Sequence, residues 1–125
     1  MKRILGLLTT IFALVGCQAE EIKFQSVDVK TFADIIKDSN VVLLDVRTIG
    51  EYQQGHIPGA ILIDVTQSDF LKRAKEQLPK DRTIALYCRS GRRSKTAAQL
   101  LSKECYTVVE LNTGFNSWTG DVEKF

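Results

Sequence analysis

The sequence predicts an α/β fold in which helices flank a central, mainly parallel sheet. Apolar runs of strand length alternate along the chain with segments whose apolar residues recur at helical spacing. The clearest run, VVLLDV at 41–46, is apolar at successive positions, which is typical of a strand covered on both faces. A helix between two strands is the usual parallel crossover, so the alternation favours parallel pairing.

The individual elements follow in chain order. Helical spacing of apolar residues predicts helices over 30–37 and 94–104. A capping box at Thr48 and Glu51 predicts a short helix that begins there. Helix-start residues from Thr66 onward predict a further helix, which should end before Pro79. Strands are predicted at 41–46, 61–63, 83–87 and 107–111, and a short segment holding Trp118 follows.

Two loops at the carboxyl ends of predicted strands form the predicted site. Asp45 and Arg47 follow one apolar strand, and Cys88 follows another. Ligands of parallel sheets bind beyond the carboxyl ends of the strands, where loops lead into helices. These two loops should therefore lie together at the functional edge of the sheet.

The first 17 residues, MKRILGLLTTIFALVGC, are typical of an export signal. Lys2 and Arg3 precede an apolar run that is shorter than the roughly 20 residues of a membrane-spanning helix. Residues 14–17 resemble the lipobox of bacterial lipoproteins, which implies a lipid on Cys17. We expect a signal peptide over 1–17, a linker over 18–24 and one domain over 25–122, held by its lipid on the periplasmic side of a bacterial membrane. Ordinary secretion after cleavage at Ala19, giving a soluble periplasmic protein, and an uncleaved anchor are the alternatives.

Charge argues against a general nucleic-acid-binding surface. The formal charge of the 125 residues is +2, and apart from Lys2 and Arg3 the 15 remaining basic residues balance 15 acidic ones. What remains is a local basic cluster beside Cys88, which favours a small anion as ligand.

Cys88 and Cys105 flank the predicted helix over 94–104. A disulfide is the ordinary expectation for an exported protein. However, eleven helical residues separate their ends by about 16 Å, whereas a disulfide needs Cα atoms within about 7 Å. We therefore predict that both are free, with Cys105 as a small packed residue.

The loop at Cys88 has the features of an anion cradle. The start of the following helix and the charges of Arg89, Arg92 and Arg93 should lower the pKa of the thiol and favour the thiolate. Gly91 allows successive backbone N–H groups to point inward. Such a ring suits a sulfur or phosphorus oxyanion, or the persulfide of Cys88 itself.

Over about residues 25–120 the chain resembles the rhodanese family of sulfurtransferases. LLDVRTIGEYQQGHIPGAILI at 43–63 resembles the first signature of the family, YCRSGRRS at 87–94 its active-site loop, and LNTGFNSW at 111–118 its C-terminal element. Thr113 departs from the usual pair of glycines. Cys105 stands where the family often has a helix-ending glycine, and a side chain there would be strained at positive φ.

The resemblance implies a rhodanese-like fold and a sulfur cycle on Cys88. A donor such as thiosulfate would leave a persulfide on Cys88, and a thiol or cyanide would accept the sulfur, with a protein thiol as a possible partner. The substrate-binding residues would be Arg89, Ser90, Gly91, Arg92 and Arg93. Asp45, Arg47 and Glu51 would support the loop, with Arg47 paired to one of the two carboxylates. We expect no organic cofactor, no metal and no nucleic acid.

Two other functions stay open. Cysteine phosphatases and arsenate reductases share related folds, but their loops have seven residues, whereas the ring from Cys88 to Arg93 has six. The second alternative is a persulfide carrier or redox-partner module that acts on another protein. The single histidine, His56, matches a turn position of the first signature, and we expect a structural role for it.

Overall fold

The computed structural model describes residues 24–125. The expected signal peptide, the lipidation site at Cys17 and most of the linker lie outside the described residues. Among the described helices, none is long and apolar enough to cross a membrane.

Five strands form one sheet in the described part of the chain. They are β1 (Gln25–Val27), β2 (Val42–Asp45), β3 (Ile61–Leu62), β4 (Ile84–Tyr87) and β5 (Val108–Leu111). Their order is β1-β5-β4-β2-β3, and each neighbouring pair is parallel. The predicted mainly parallel sheet is confirmed, with β4 at its centre.

Within residues 24–125, four α-helices and one short 3-10 helix accompany the sheet. They are α1 (Val29–Ile35), α2 (Ile49–Gln54), α3 (Phe70–Gln77), α4 (Arg92–Lys103) and the 3-10 helix Phe115–Ser117. The predicted capping box is present: the Thr48 hydroxyl accepts from the Glu51 amide, and the Glu51 carboxylate accepts from the Thr48 amide. α3 begins at Phe70, later than its first start signal, and ends before Pro79 as predicted.

Strand β1 was not predicted. Its three residues, QSV, are polar or small and largely exposed, and the strand lies at the edge of the sheet beside β5. An edge strand of this length has neither a long apolar run nor an alternation of apolar and polar residues in its sequence. It is recognised as a strand only from its pairing with β5.

Helix α4 differs from its prediction at its start. It begins two residues earlier than Ser94 because Gly91, with φ of 99°, forms its N-cap. At the end of the helix, Cys105 has a positive φ of 69°, which is the strained backbone conformation expected for a side chain at this position. The Tyr106 amide donates to the Leu101 carbonyl and the Cys105 amide to that of Ser102, which is the usual left-handed helix end.

The core forms two clusters, because alternate residues of the central strands enter different clusters. Leu86 and Cys88 pack with residues of α3 and α4 in one cluster. Ala85 and Tyr87 pack with Phe32 of α1 in the other. Cys88 is thus anchored among core residues, and the start of α4 lies beside it.

Candidate active site

The sulfur of Cys88 lies at the carboxyl end of the central strand, where residues 88–91 lead into α4. All four residues of β4 are buried, and Cys88 itself is fully buried. The Gly91 amide donates to Cys88 Sγ at 3.1 Å. The Gly91 amide therefore points at this sulfur, as the predicted cradle requires.

The loop favours the thiolate of Cys88. Burial acts to raise the pKa of Cys88, but hydrogen bonds from the Ser94 hydroxyl and from the amides of Ser94, Gly91 and Ser90 outweigh it, so the pKa lies below its ordinary value. Ser94 was not among the predicted site residues. It was placed at the predicted start of the helix, but it lies inside α4 and is fully buried.

The C-terminal element clamps the cysteine loop from outside. The Phe115 amide donates to the Cys88 carbonyl at 2.8 Å, and the Asn116 amide donates to the Arg89 carbonyl at 3.0 Å. Gly114 permits this approach, since a Cβ there would lie 2.4 Å from the Arg89 carbonyl. Thr113, which replaces a glycine of the family pattern, has no positive φ, and its hydroxyl pairs with that of Ser117 at 2.6 Å. The substitution is therefore accommodated without backbone strain.

Arg47 braces the site from the neighbouring strand. Its guanidinium lies 2.7 Å from the buried carboxylate of Asp45, one of the two predicted partners, and donates to the Gly55 carbonyl at 2.6 Å. The same group stacks 4.5 Å above the ring of Phe115. Arg47 thus links β2 with the C-terminal element and is itself almost wholly buried.

Glu51 pairs with an arginine of the cysteine loop. The Arg93 guanidinium donates to both oxygens of Glu51, at 2.7 and 2.9 Å. The hydrogen bond from Arg93 is the main reason that the pKa of Glu51 falls to about 2. Arg89 and Arg92 are exposed. Of the three predicted cationic ligands, Arg93 is held in an ion pair and the other two face solvent.

A cleft of about 270 Å³ opens beside this loop. Its walls combine charged, apolar and amide groups from the elements just described: Arg47, Glu51, Gln54, Gly55, Arg89, Phe115 and Asn116. The cleft therefore offers an exposed cation, Arg89, the residue that follows the buried Cys88, whereas Cys88 itself does not line the cleft. Three or more side chains of the metal-ligating types do not cluster anywhere in the described part of the chain.

The prediction for the two cysteines is half right. Cys88 is free. Cys105 is disulfide-bonded, so the prediction that it is free was wrong. The separation of the two ends of α4 excludes only a bond between Cys88 and Cys105.

His56 has the structural environment expected for it. The ring stacks on Tyr52 with centroids 3.7 Å apart, and Nδ1 lies 2.8 Å from the Tyr52 carbonyl oxygen. Its Nε2 lies 3.4 Å from a carboxylate oxygen of Glu123. Trp118 packs at the margin of the second core cluster and donates its indole N–H to the Asp121 carbonyl. These contacts account for both residues without a role in chemistry.

Comparison with known proteins gives the same family as the motifs. The model of the Rhodanese-like domain matches residues 28–121. A protein named Sulfurtransferase from Allochromatium vinosum is 33% identical over 94 residues, which cover 74% of this chain and 85% of that protein. The Bacillus subtilis proteins YrkF and YqhL are each 39% identical, and the matched region spans 45% and 63% of their lengths.

Solved structures are similar to this chain as well. A rhodanese from E. coli, solved with anions, aligns with a TM-score of 0.58 and 33% identity over 68% of this chain and 99% of that one. The residues matched by the family model, 28–121, include the buried cysteine, the glycine-bearing loop and the braced Asp45–Arg47 segment described above. The chain therefore belongs to the rhodanese-like domain family.

Proposed function

We propose that this protein transfers sulfane sulfur from thiosulfate or a similar anion to a thiol or to cyanide through a persulfide on Cys88. One observation carries the proposal: the Cys88 sulfur lies at the start of α4 with the Gly91 amide 3.1 Å away. The donors around it lower the pKa of the thiol despite its burial. A thiolate at neutral pH is the nucleophile that the reaction needs.

The proposed sulfur transfer takes place in two nucleophilic displacements. The Cys88 thiolate attacks the outer sulfur of the donor, the sulfur–sulfur bond of the donor breaks, and sulfite leaves with the electron pair. The acceptor thiolate then attacks the outer sulfur of the persulfide, and Cys88 leaves as a thiolate. The inward N–H groups stabilise the negative charge in both states, because they can follow it from Sγ to the outer sulfur.

The exposed arginines support an anionic donor. Arg89 lines the cleft beside Cys88, and Arg92 opens α4 on the solvent side. We infer that these two side chains attract the donor, whereas Arg93 mainly holds the loop through its ion pair with Glu51. The anions named with the E. coli rhodanese agree with a ligand of this charge.

The second candidate is sulfur carriage to a partner protein. The name of YrkF refers to a sulfur carrier, and the matched region covers less than half of that protein. In this function Cys88 would carry the same persulfide, but the acceptor would be a protein thiol. The two candidates differ in whether small thiols support turnover.

Steady-state kinetics tests the proposal. The described domain should turn over thiosulfate with cyanide or a small thiol, and Cys88→Ala should abolish turnover. Hydrolysis of p-nitrophenyl phosphate without thiosulfate turnover would favour the phosphatase alternative. Persulfide formation on Cys88 without turnover of small acceptors would favour the carrier.

We also propose that the chain is exported and lipidated at Cys17. The signal-like residues 1–17 and the lipobox-like residues 14–17 support this. Expressed in a bacterial host, the full chain should partition into detergent, and its mature N-terminal peptide should carry a diacylglycerol. A Cys17→Ala chain that partitions like the original would refute lipidation.

A further inference from the structure

Glu110 is a fully buried carboxylate in β5, and the sulfur cycle proposed above does not use it. One of its oxygens accepts from the Ser94 hydroxyl at 2.6 Å. The other accepts from the Ser26 hydroxyl and lies 3.1 Å from the Lys95 ammonium group. The groups in contact with it are hydroxyl and ammonium donors, so both oxygens of this buried carboxylate have hydrogen-bond or ion-pair partners.

Ser94 connects this carboxylate with the reacting sulfur. Ser94 lowers the pKa of Cys88 through its hydroxyl and its amide, and the same hydroxyl donates to Glu110 at 2.6 Å. A hydroxyl has one proton and cannot donate it to a carboxylate and a thiolate together. The two anions therefore compete for the same proton.

Lys95 gives Glu110 a second connection to the cradle. The ammonium group donates to the Gly91 carbonyl at 3.2 Å and to the side chain of Asn112 at 3.1 Å. Gly91 is the residue whose amide contacts Cys88 Sγ. Glu110 is thus connected to the loop through both Ser94 and Lys95.

We propose that Glu110 is a positioning residue for sulfur transfer: it holds the proton of the Ser94 hydroxyl and thereby limits the donation of that hydroxyl to the Cys88 thiolate. This inference rests on the proposed sulfur cycle. No proton is transferred in it, since the hydroxyl only rotates between two acceptors.

The contact between Glu110 and Ser94 should favour the persulfide form of the enzyme over the form with a free Cys88 thiolate. A thiolate with fewer donors is less stabilised and more nucleophilic, because nucleophilicity falls as the thiol becomes more acidic. In the persulfide the charge lies on the outer sulfur, so Ser94 can donate to Glu110 without competition. Glu110 therefore opposes the free Cys88 thiolate more strongly than the persulfide.

The pH dependence of Cys88 alkylation tests this. Iodoacetamide modifies thiolates, and mass spectrometry of the Cys88 peptide follows this cysteine alone in the mature chain. Glu110→Gln should lower the midpoint pH of alkylation by about one unit, because it removes a nearby negative charge and because its neutral amide oxygen accepts from the Ser94 hydroxyl more weakly than a carboxylate does. Ser94→Ala should shift the midpoint up. Glu76→Gln, an exposed matched control on α3, should leave it unchanged.

The double variant Ser94→Ala/Glu110→Gln separates the effect of the Ser94–Glu110 hydrogen bond from the effect of the Glu110 charge alone. With Ser94→Ala in place, Glu110→Gln should produce less than half of its original shift. Equal shifts in both backgrounds, or no shift in either, would overturn the inference. The other groups that act on Cys88 or Glu110, namely Ser26, Ser90, Arg93 and Lys95, stay unchanged throughout.

Glu110→Asp keeps the inference testable if Glu110→Gln does not fold. It preserves the charge but withdraws the carboxylate from Ser94 by one methylene, so the midpoint should again fall. An unchanged midpoint in a folded Glu110→Asp chain would overturn the inference. Loss of persulfide formation in the unmodified protein would instead refute the sulfur cycle, even if the alkylation shifts were as expected.

Discussion

Arg93 at the start of α4 and Glu51 in α2 form a two-point ion pair, with N–O distances of 2.7 and 2.9 Å. The pair joins the cysteine loop to the helix that follows β2. Its carboxylate also completes the capping box with Thr48. One side chain therefore caps a helix and restrains the active-site loop.

Glu51→Gln should destabilise the fold near neutral pH by about 1–2 kcal/mol. The amide preserves the capping box, so the loss reports the ion pair. The pKa of Glu51 is about 2 in the folded protein against an ordinary value of 4.5, so the carboxylate stabilises the fold above pH 4.5. That contribution disappears as the pH falls towards 2.

Urea unfolding at several pH values measures this difference. The gap between the original protein and Glu51→Gln should close between pH 4.5 and 2, while Glu76→Gln, on an exposed ion pair, should show little gap at any pH. A gap of the same size at low and neutral pH would contradict the assignment.

Three glycine substitutions separate backbone strain from steric clash. Gly50→Ala should be neutral or slightly stabilising, since it lies in a helix with open space around it. Gly59→Ala should cost about 1 kcal/mol, because φ is 86° but the space is open. Gly91→Ala should cost more than about 3 kcal/mol and abolish sulfur transfer, because φ is 99° and a Cβ would lie 2.0 Å from the Asn112 carbonyl oxygen.

Thermal unfolding ranks the three variants. The order of melting temperatures should be Gly50→Ala, then Gly59→Ala, then Gly91→Ala. If Gly91→Ala were no worse than Gly59→Ala, the close packing of the loop against the C-terminal element would be incorrect.

Arg89→Gln should raise the KM for thiosulfate several-fold with a smaller effect on kcat. The side chain is exposed at the cleft, so it should act on the encounter with the anion more than on the displacement itself. High salt should reduce the difference, because exposed charges are screened. Arg82→Gln, an exposed arginine before β4, is the matched control and should leave KM unchanged; equal effects of both variants would contradict a specific role for Arg89.

Cys105→Gly should be more stable than Cys105→Ala by about 1 kcal/mol. Both variants lack the sulfur, so the comparison isolates the cost of a Cβ at φ of 69° in the helix end. Chemical unfolding of the two variants under reducing conditions measures it. Equal stability would show that the left-handed position carries no strain.

Sequence patterns predicted the elements whose signals are local. The apolar run of β2 and the capping box at Thr48 were sufficient, and the glycine-bearing loop indicated the cradle at Cys88. β1 carries no such signal, because three polar or small residues become a strand only by pairing with β5. The sequence limited the ion-pair partner of Arg47 to the carboxylates of Asp45 and Glu51. That Asp45 is the partner depends on side-chain geometry, which the sequence does not contain.

Ser94 and Glu110 show what local patterns miss at a site. The sequence pattern predicts that the helix begins at Ser94. In the structure Gly91 is the N-cap, so Ser94 lies in the first turn of α4 beside Cys88. Glu110 is an acidic residue between the apolar residues Val109 and Leu111 of the predicted strand TVVEL at 107–111. Its function follows from β5 lying beside β4 and from α4 lying over both, a relation between distant segments that spacing alone does not contain.

The most direct test of the account is the intact mass of the domain after treatment with thiosulfate and removal of excess reagent. The peptide that contains Cys88 should gain one sulfur atom, cyanide or a small thiol should remove it, and Cys88→Ala should show no gain. A protein that turns over thiosulfate without this adduct, or that keeps its turnover in Cys88→Ala, would contradict the claim that Cys88 carries the sulfur.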